Sequence, residues 1–488
     1  MDFFGRIREK KLLRQWKDET NGSYISVIYG RRRVGKTRLV EETFKDAELF
    51  KFEGLEGQST REQQRQFLAR LSEISGKYEY QLIKTTKWAD ILILLSEYIT
   101  DHFNDKPVVV FLDEFQWIAA GNTKLVSSLK YVWDNYFTKK NRVHLILCGS
   151  VCSFIVKKVL KSKALYGRVN LEINLKPLFL PEIKQVFRPR RSLRDVVELY
   201  MVLGGIPKYL ELVAPAASVR SNIEKLCFTP NGYLVNEFER IFASHFGTNQ
   251  HYRRILMTLG KSNYASRDQL QKSAGISSGG RISEYLEDLV TAGFIERYAP
   301  VDKPNAVRIN RYKIIDPYLL FYFRFIQPNI KKIQQGAIEP HFTQFVSDKE
   351  YDIWCGLAFE FVCMQHSHLI AERLGFSSVR YEVGSWFNRS SDKQSGQIDL
   401  LFIRADRVIT LCEVKFRNTK IGREIIEEIE RKKQALFNPK RYTIETVLIS
   451  ASKVTEDLKD EKYFNRILSL EDIFEKESSV VPENLIHN

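Results

Sequence analysis

Apolar and polar positions follow different rhythms along this chain. Over the first ~230 residues, short β-branched and aromatic runs alternate with stretches of helical period, the sign of a parallel α/β sheet. Strands are predicted at 24–29, 108–112 and 143–148, with shorter ones near 48–53 and 169–175. Helical patterns occupy 59–75, 87–104 and 123–137. A Pro-marked stretch from Lys176 to Pro181 opens a more helical region that includes Leu193–Leu203 and ends near Thr229-Pro230-Asn231-Gly232.

Residues 250–315 read differently. His251–Leu259 is amphipathic, Ser266–Ala274 is a short helix with a Ser cap, and Ser283–Ala292 presents Ile282, Leu286, Leu289 and Val290 on one face. Gly293 ends that helix, and Phe294–Tyr298 pairs with Val307–Ile315 as a hairpin, making a winged helix-turn-helix. The aromatic segment Asp316–Phe325 reads as buried docking surface, and the polar stretch 327–349 as a linker. A last unit opens with a helix and shows strands at 397–404, 408–416 and 443–450, with a charged helix at 422–437. The expectation is an α/β chain of three units, 1–232, 233–326 and 350–488.

Composition narrows the class. Hydrophobic residues make up 44% and charged residues 28%, as in a soluble globular protein. No apolar run reaches the roughly 18–20 residues of a membrane span, and Met1–Arg6 has no signal-peptide core. The expectation is a cytoplasmic protein with no membrane partner. Six scattered cysteines, at 148, 152, 227, 355, 363 and 412, argue against a disulfide framework or a four-ligand zinc site. Cys363, His366 and His368 lie close together, but within an apolar helical pattern that favours packing over metal binding. The net charge of +15 points toward nucleic acid. Residues 157–194 concentrate it, with eleven Lys/Arg against two Glu, a surplus that a solvated face explains equally well.

The chemistry begins at Gly30-Arg31-Arg32-Arg33-Val34-Gly35-Lys36-Thr37, which fits G-x-x-x-x-G-K-[ST] between a predicted strand and a predicted helix. Glycines let successive backbone N–H groups face a polyphosphate, and the helix N-terminus adds its positive end. Lys36 would reach the β- and γ-phosphates of ATP, and the Thr37 hydroxyl would bind Mg²⁺. Val108–Leu112 ends in Asp113-Glu114. There Asp113 would hold Mg²⁺ through water and Glu114 would act as general base. Leu145–Ser150 is another buried strand, whose Ser150 either senses the γ-phosphate or simply ends the strand.

These pieces resemble the prokaryotic AAA-type ATPases common in archaea. The resemblance rests on Phe4-Gly5-Arg6 with Glu9, the Tyr29–Thr37 loop, Leu112–Trp117, Leu147–Ser150, Tyr166-Gly167-Arg168, Gly204–Tyr209, Asp316-Pro317-Tyr318 and Gly356–Glu360. It covers essentially the whole chain, including the C-terminal domain of unknown function that this family often carries. It implies a nucleotide site built from Gly30 to Arg38 with Arg6 and Pro207. Pro207 stands in an element that resembles the helical lid of related switch ATPases. The resemblance also implies that Arg168 stabilises γ-phosphate charge, often across a subunit boundary in a homo-oligomer. The alternative is one more arginine in a basic stretch.

The last unit carries a second candidate site. Asp399, then Glu413-Val414-Lys415 on the next strand, have the D…E-x-K spacing of restriction-endonuclease-like nucleases. Glu413 and Lys415 share a strand face, and an antiparallel neighbour would set Asp399 beside them. Two carboxylates would hold Mg²⁺ while the lysine activates water against a phosphodiester. By resemblance, Glu360 completes the metal site and Gln434 adds a polar group; the proline that often precedes the aspartate is Ile398 here. Two functions stand open: an ATP-switched nuclease acting on nucleic acid, foremost DNA, or a regulatory switch whose C-terminal domain only binds nucleic acid or protein. The presumed recognition helix carries Glu284, Glu287 and Asp288, which repel phosphate. Only Arg281, with Arg297, Arg308, Arg311 and Lys313 around the wing, favours DNA, so a protein-docking role is equally open.

Overall fold

The computed structural model describes residues 3–474, apart from 20–21, 104–105, 121–123, 141, 151, 188–189, 263, 278–279, 299–300, 302–310, 337–341, 389–395 and 437. Five parallel strands form the first sheet: β1 (Tyr24–Tyr29), β2 (Glu48–Glu53), β3 (Val108–Asp113), β4 (Val143–Gly149) and β5 (Leu171–Asn174). Their order is β2-β3-β4-β1-β5. Strands β3 and β4 are buried at every position, because helices cover both faces of a parallel sheet. The order sets β4 between β1 and β3, so the glycine loop and the Asp113-Glu114 pair flank Gly149-Ser150 at one sheet edge.

In the middle unit, helices Gln250–Lys261, Arg267–Ser273 and Arg281–Thr291 pack with a small antiparallel sheet. Its strands are β6 (Ala265–Ser266), β7 (Ile295–Tyr298) and β8 (Arg311–Ile314), ordered β6-β8-β7. Ser266 caps its helix through a reciprocal pair with Gln269. Residues 307–310 of the expected second hairpin arm, Arg308 among them, lie outside the described residues.

The stretch 327–349 is not a polar linker. Gln327–Gln335 is a helix that buries Ile333, and Phe342 and Val346 enter the core. Ile330 and Ile333, three positions apart, supply the one-sided apolar contact that holds it.

The last unit is a five-stranded mixed sheet of β9 (Tyr381–Asn388), β10 (Gly396–Arg404), β11 (Val408–Lys415), β12 (Thr443–Ser450) and β13 (Arg466–Ser469). Strand β10 runs antiparallel to its neighbours β9 and β11, whereas β12 and β13 follow β11 in parallel. Helix Asp348–Gln365 packs on β10 and β11. One continuous core joins the units, from Leu13 and Leu39 through Leu203, Phe228 and Leu259 to Phe321, Trp354, Leu400 and Phe474.

Candidate active sites

The glycine loop is shaped by backbone demands. Gly30 has φ +155°, and a Cβ there would lie 2.4 Å from the Leu175 carbonyl oxygen. Gly35 has φ +91° and a Cβ there would approach Pro207 Cγ to 3.8 Å, which puts the lid element against the loop. Buried Lys36 donates to the carbonyls of Gly30 (3.0 Å) and Arg31 (3.1 Å). The Thr37 hydroxyl donates to Asp113 Oδ2 at 2.8 Å. Burial raises the Asp113 pKa, and the Thr37 bond opposes that rise. A loop held in its turn by left-handed Gly35 and by Gly30 packed on the Leu175 backbone, with the Thr37 hydroxyl and the Asp113 carboxylate as hard oxygen donors beside it, fits a nucleotide with Mg²⁺.

Lys51 on β2 was not anticipated. Its Nζ stands 3.7 Å from Asp113 Oδ2 and 2.9 Å from Glu41. A lysine in the otherwise apolar centre of Leu-Phe-Lys-Phe was the available signal.

Glu114 adopts φ +48°, a left-handed conformation that a non-glycine residue holds only where its surroundings impose it. Its carboxylate accepts from Ser150 Oγ at 2.7 Å and from Gln116 Nε2. Ser150 and the unforeseen Gln116 thus orient the acid. Arg168 makes a two-pronged pair with Asp134, at 2.7 and 2.8 Å, and further bonds to the carbonyls of Ala164 and Tyr166. None of these partners belongs to the glycine loop.

The loop's arginines turn toward the rest of the chain. Arg31 forms a buried ion pair with Asp316 and lies over the Phe294 ring. Arg33 pairs with buried Glu237, which also accepts from the Tyr209 hydroxyl at 2.8 Å. Arg6 braces the loop from behind, donating to the carbonyls of Val34 (3.2 Å) and Lys176 (2.6 Å). Arg38 is exposed and pairs with Glu211 at 3.1 Å, and Arg32 is exposed.

In the last unit, antiparallel pairing of Leu400 with Cys412 puts Asp399 beside Glu413. The Asp399 carboxylate accepts from the Val414 N–H. Glu413 is wholly buried, with Lys415 Nζ at 2.6 Å and Lys432 Nζ within 2.8 Å of both its oxygens. Glu428 completes the cluster, 3.2 Å from Lys415 and 3.0 Å from Lys432. Burial raises the pKa values of Asp399 and Glu413. Burial, then the charges of Asp399 and Glu413, push Glu360 up to about 8. Gln434 is exposed and takes no part; Lys432, two residues earlier on helix Glu424–Ala435, holds that place. The i,i+4 spacing of Glu428 and Lys432 was the signal for it.

Hard carboxylate oxygens in mutual repulsion suit a divalent cation. Lys432 nevertheless bonds both Glu413 oxygens, and no three His, Cys, Asp or Glu side chains among the described residues are arranged as metal ligands. His366 is buried and hydrogen-bonded within the chain: its Nε2 accepts from the Leu180 N–H at 3.1 Å and its Nδ1 bonds the Val362 carbonyl at 2.9 Å.

A parallel sheet with this loop after β1 and paired acids after β3 defines a P-loop ATPase domain. Residues 3–213 match the model of an ATPase domain found predominantly in Archaea. Residues 322–431 match a family of archaebacterial proteins of unknown function. An uncharacterized protein of Methanocaldococcus jannaschii is 27% identical over 420 residues, which cover 86% of this chain and 88% of that protein. Among solved structures, the Walker-type ATPase of Pyrococcus abyssi aligns with TM-score 0.47 and 19% identity, covering 66% of this chain and 96% of that one. The ORC2 protein of Aeropyrum pernix aligns with TM-score 0.42 and 15% identity, over 68% of this chain and 96% of that one. Among the described residues, no helix is long and apolar enough to cross a membrane.

Proposed function

We propose that this chain couples the nucleotide state of its ATPase domain to metal-dependent phosphodiester cleavage of nucleic acid at its C-terminal site. The observation that carries the reading is the gathering of Glu360, Asp399, Glu413 and Lys415 on one helix and two adjacent strands. In the ATPase domain, Lys36 and the loop amides would hold the phosphates, Thr37 and Asp113 would hold Mg²⁺, and Glu114 would take the proton of the attacking water. Bound Mg²⁺ neutralises charge on the transferring phosphoryl group. At the second site Asp399 and Glu413 would hold a further Mg²⁺, Glu360 would support it, and Lys415 would orient water.

The middle unit reads as a winged helix that docks on its own chain. Lys157 Nζ pairs with Glu284 at 3.2 Å and Asp288 at 2.7 Å, and Lys161 approaches Glu287 at 3.9 Å. Those acids, on the helix that would read DNA, meet part of the basic stretch that drew attention in the sequence. Nucleic acid therefore enters through the C-terminal site in this reading. Action of Arg168 across a homo-oligomer would first require release from Asp134.

One observation favours the second reading, a regulatory switch with a non-catalytic C-terminal domain: both Glu413 oxygens are held by Lys432. The deciding experiment incubates labelled single- and double-stranded DNA and RNA with Mg²⁺ or Mn²⁺, with and without ATP, beside Asp399→Ala. Cutting that disappears in the variant supports the phosphodiesterase. Intact ATP turnover with no cutting of any substrate supports the switch.

A further inference from the structure

A groove of about 440 Å³ lies where the ATPase domain meets the last unit, lined among others by Arg194, Gly356, Glu360, Lys415 and Arg417. Arg194 comes from helix Leu193–Leu203, within the stretch that matches the ATPase model. Its guanidinium lies 4.1 Å from the Phe416 ring centroid and donates to Asn418 Oδ1 (2.9 Å) and the Ala451 carbonyl (3.0 Å). Arg194 of the ATPase unit thus closes a groove whose other lining residues belong to the candidate phosphodiesterase.

Gly356 is the second observation. It lies within the 18-residue helix Asp348–Gln365, where glycine costs about 1 kcal/mol relative to alanine. A Cβ there would meet nothing within 4 Å, so no packing neighbour demands the missing side chain. Gly356 and Glu360 are four residues apart and share a helix face. The exposed side chains of Ile353 (55%) and Leu357 (50%) flank it. A bare patch of helix beside a charged cluster permits close approach of a ligand's backbone.

We propose that this groove binds a single strand of nucleic acid, its backbone running over Gly356 toward Glu360 and Lys415. This deepens the phosphodiesterase reading and rests on it for the direction of the strand. Arg194 and Arg417 hold a phosphate at one end. Asp352, whose carboxylate accepts from Asn418 Nδ2 at 3.4 Å, lines the groove too and repels phosphate on its own side. Ile353 in the groove lining, with exposed Leu357 next to it on the same helix, offers apolar surface to unpaired bases, which a duplex keeps stacked inside. The ATPase unit thereby supplies a phosphate-gripping residue to the other site.

The test is fluorescence anisotropy of a labelled oligothymidine with the full chain in Ca²⁺. Gly356→Trp fills the groove while leaving every carboxylate of the cluster in place and is expected to weaken strand binding at least tenfold, with ATP turnover as the control for folding. Gly356→Ala is expected to raise the melting temperature, and Arg194→Gln to weaken binding several-fold. A duplex of matched length is expected to bind at least tenfold more weakly than the strand. Parent-like affinity in Gly356→Trp, tighter binding of the duplex, or no strand binding by the parent overturns the proposal. Cutting by Asp399→Ala is scored separately: undiminished cutting removes the phosphodiesterase reading, and the groove then stands or falls on the anisotropy.

Discussion

Arg31, in the phosphate loop, and Asp316, at the start of the aromatic segment beyond the three-helix unit, form an ion pair with both side chains at most 5% exposed. The loop that grips nucleotide is therefore tied to a distant part of the chain by a charge that polyphosphate can compete for. Arg33 and Glu237 repeat the arrangement one step along.

Asp316→Asn tests that competition, because asparagine can keep the helix cap that Asp316 gives the Leu319 N–H at 2.8 Å. Breaking one side of a buried pair costs about 3–5 kcal/mol. The nucleotide-free variant is expected to melt at a lower temperature, and ADP or ATP to restore more than it adds to the parent. Equal nucleotide-induced shifts in scanning fluorimetry would sink the idea.

Glu114→Gln should bind ATP with parent-like affinity and lose turnover by roughly 10²–10⁴, the usual range for removing a general base. Ser150→Ala frees one side of the same carboxylate and should cost less. Single-turnover hydrolysis separates the two. A Glu114→Gln variant that still turns over at the parent rate would move the base elsewhere.

Much of the architecture is legible in the sequence because the central strands are fully buried. Val108–Asp113 and Val143–Gly149 are mostly apolar runs buried at every position, as in a parallel sheet covered on both faces. Strand β9 was missed because Gly384 interrupts its pattern, and β13 because it has only four residues. At the candidate sites, one-dimensional spacing brought Asp399, Glu413 and Lys415 into view. For Lys432 the sequence offers only its i,i+4 spacing from Glu428; its contact with Glu413 comes from a helix crossing back over the sheet. The partners of Arg31 and Arg33 depend on tertiary packing that no local pattern encodes.

Lys432→Met should reveal whether the lysine stands where a metal belongs. Removing it leaves Glu413 with Lys415 alone, so the metal-free variant is expected to be less stable by about 3 kcal/mol. Mg²⁺ should then raise its melting temperature more than the parent's. Identical Mg²⁺ responses would place the cation elsewhere.

His366 predicts an acid limit. Burial depresses its pKa to about 3, against about 6.5 in an unfolded chain. Below pH 6.5 only the unfolded chain takes up this proton, so its contribution to stability falls with falling pH, by about 1.4 kcal/mol per unit until about pH 3. Protonated Nε2 cannot accept from Leu180, so the contact between the ATPase unit and the last unit goes with it. His366→Phe should flatten the stability–pH profile between pH 4 and 6 by about one proton. An unchanged slope in chemical denaturation would contradict this.

The core that runs unbroken from Leu13 to Phe474 has a consequence for how this molecule can vary. A protein built as beads on a string trades modules by recombination, each carrying its own interior. Here a crossover near residue 230 or 350 would expose to solvent the apolar surface that the shared core covers. A change in the aromatic wall around Phe321 and Trp354 therefore has to be answered from both sides of it at once.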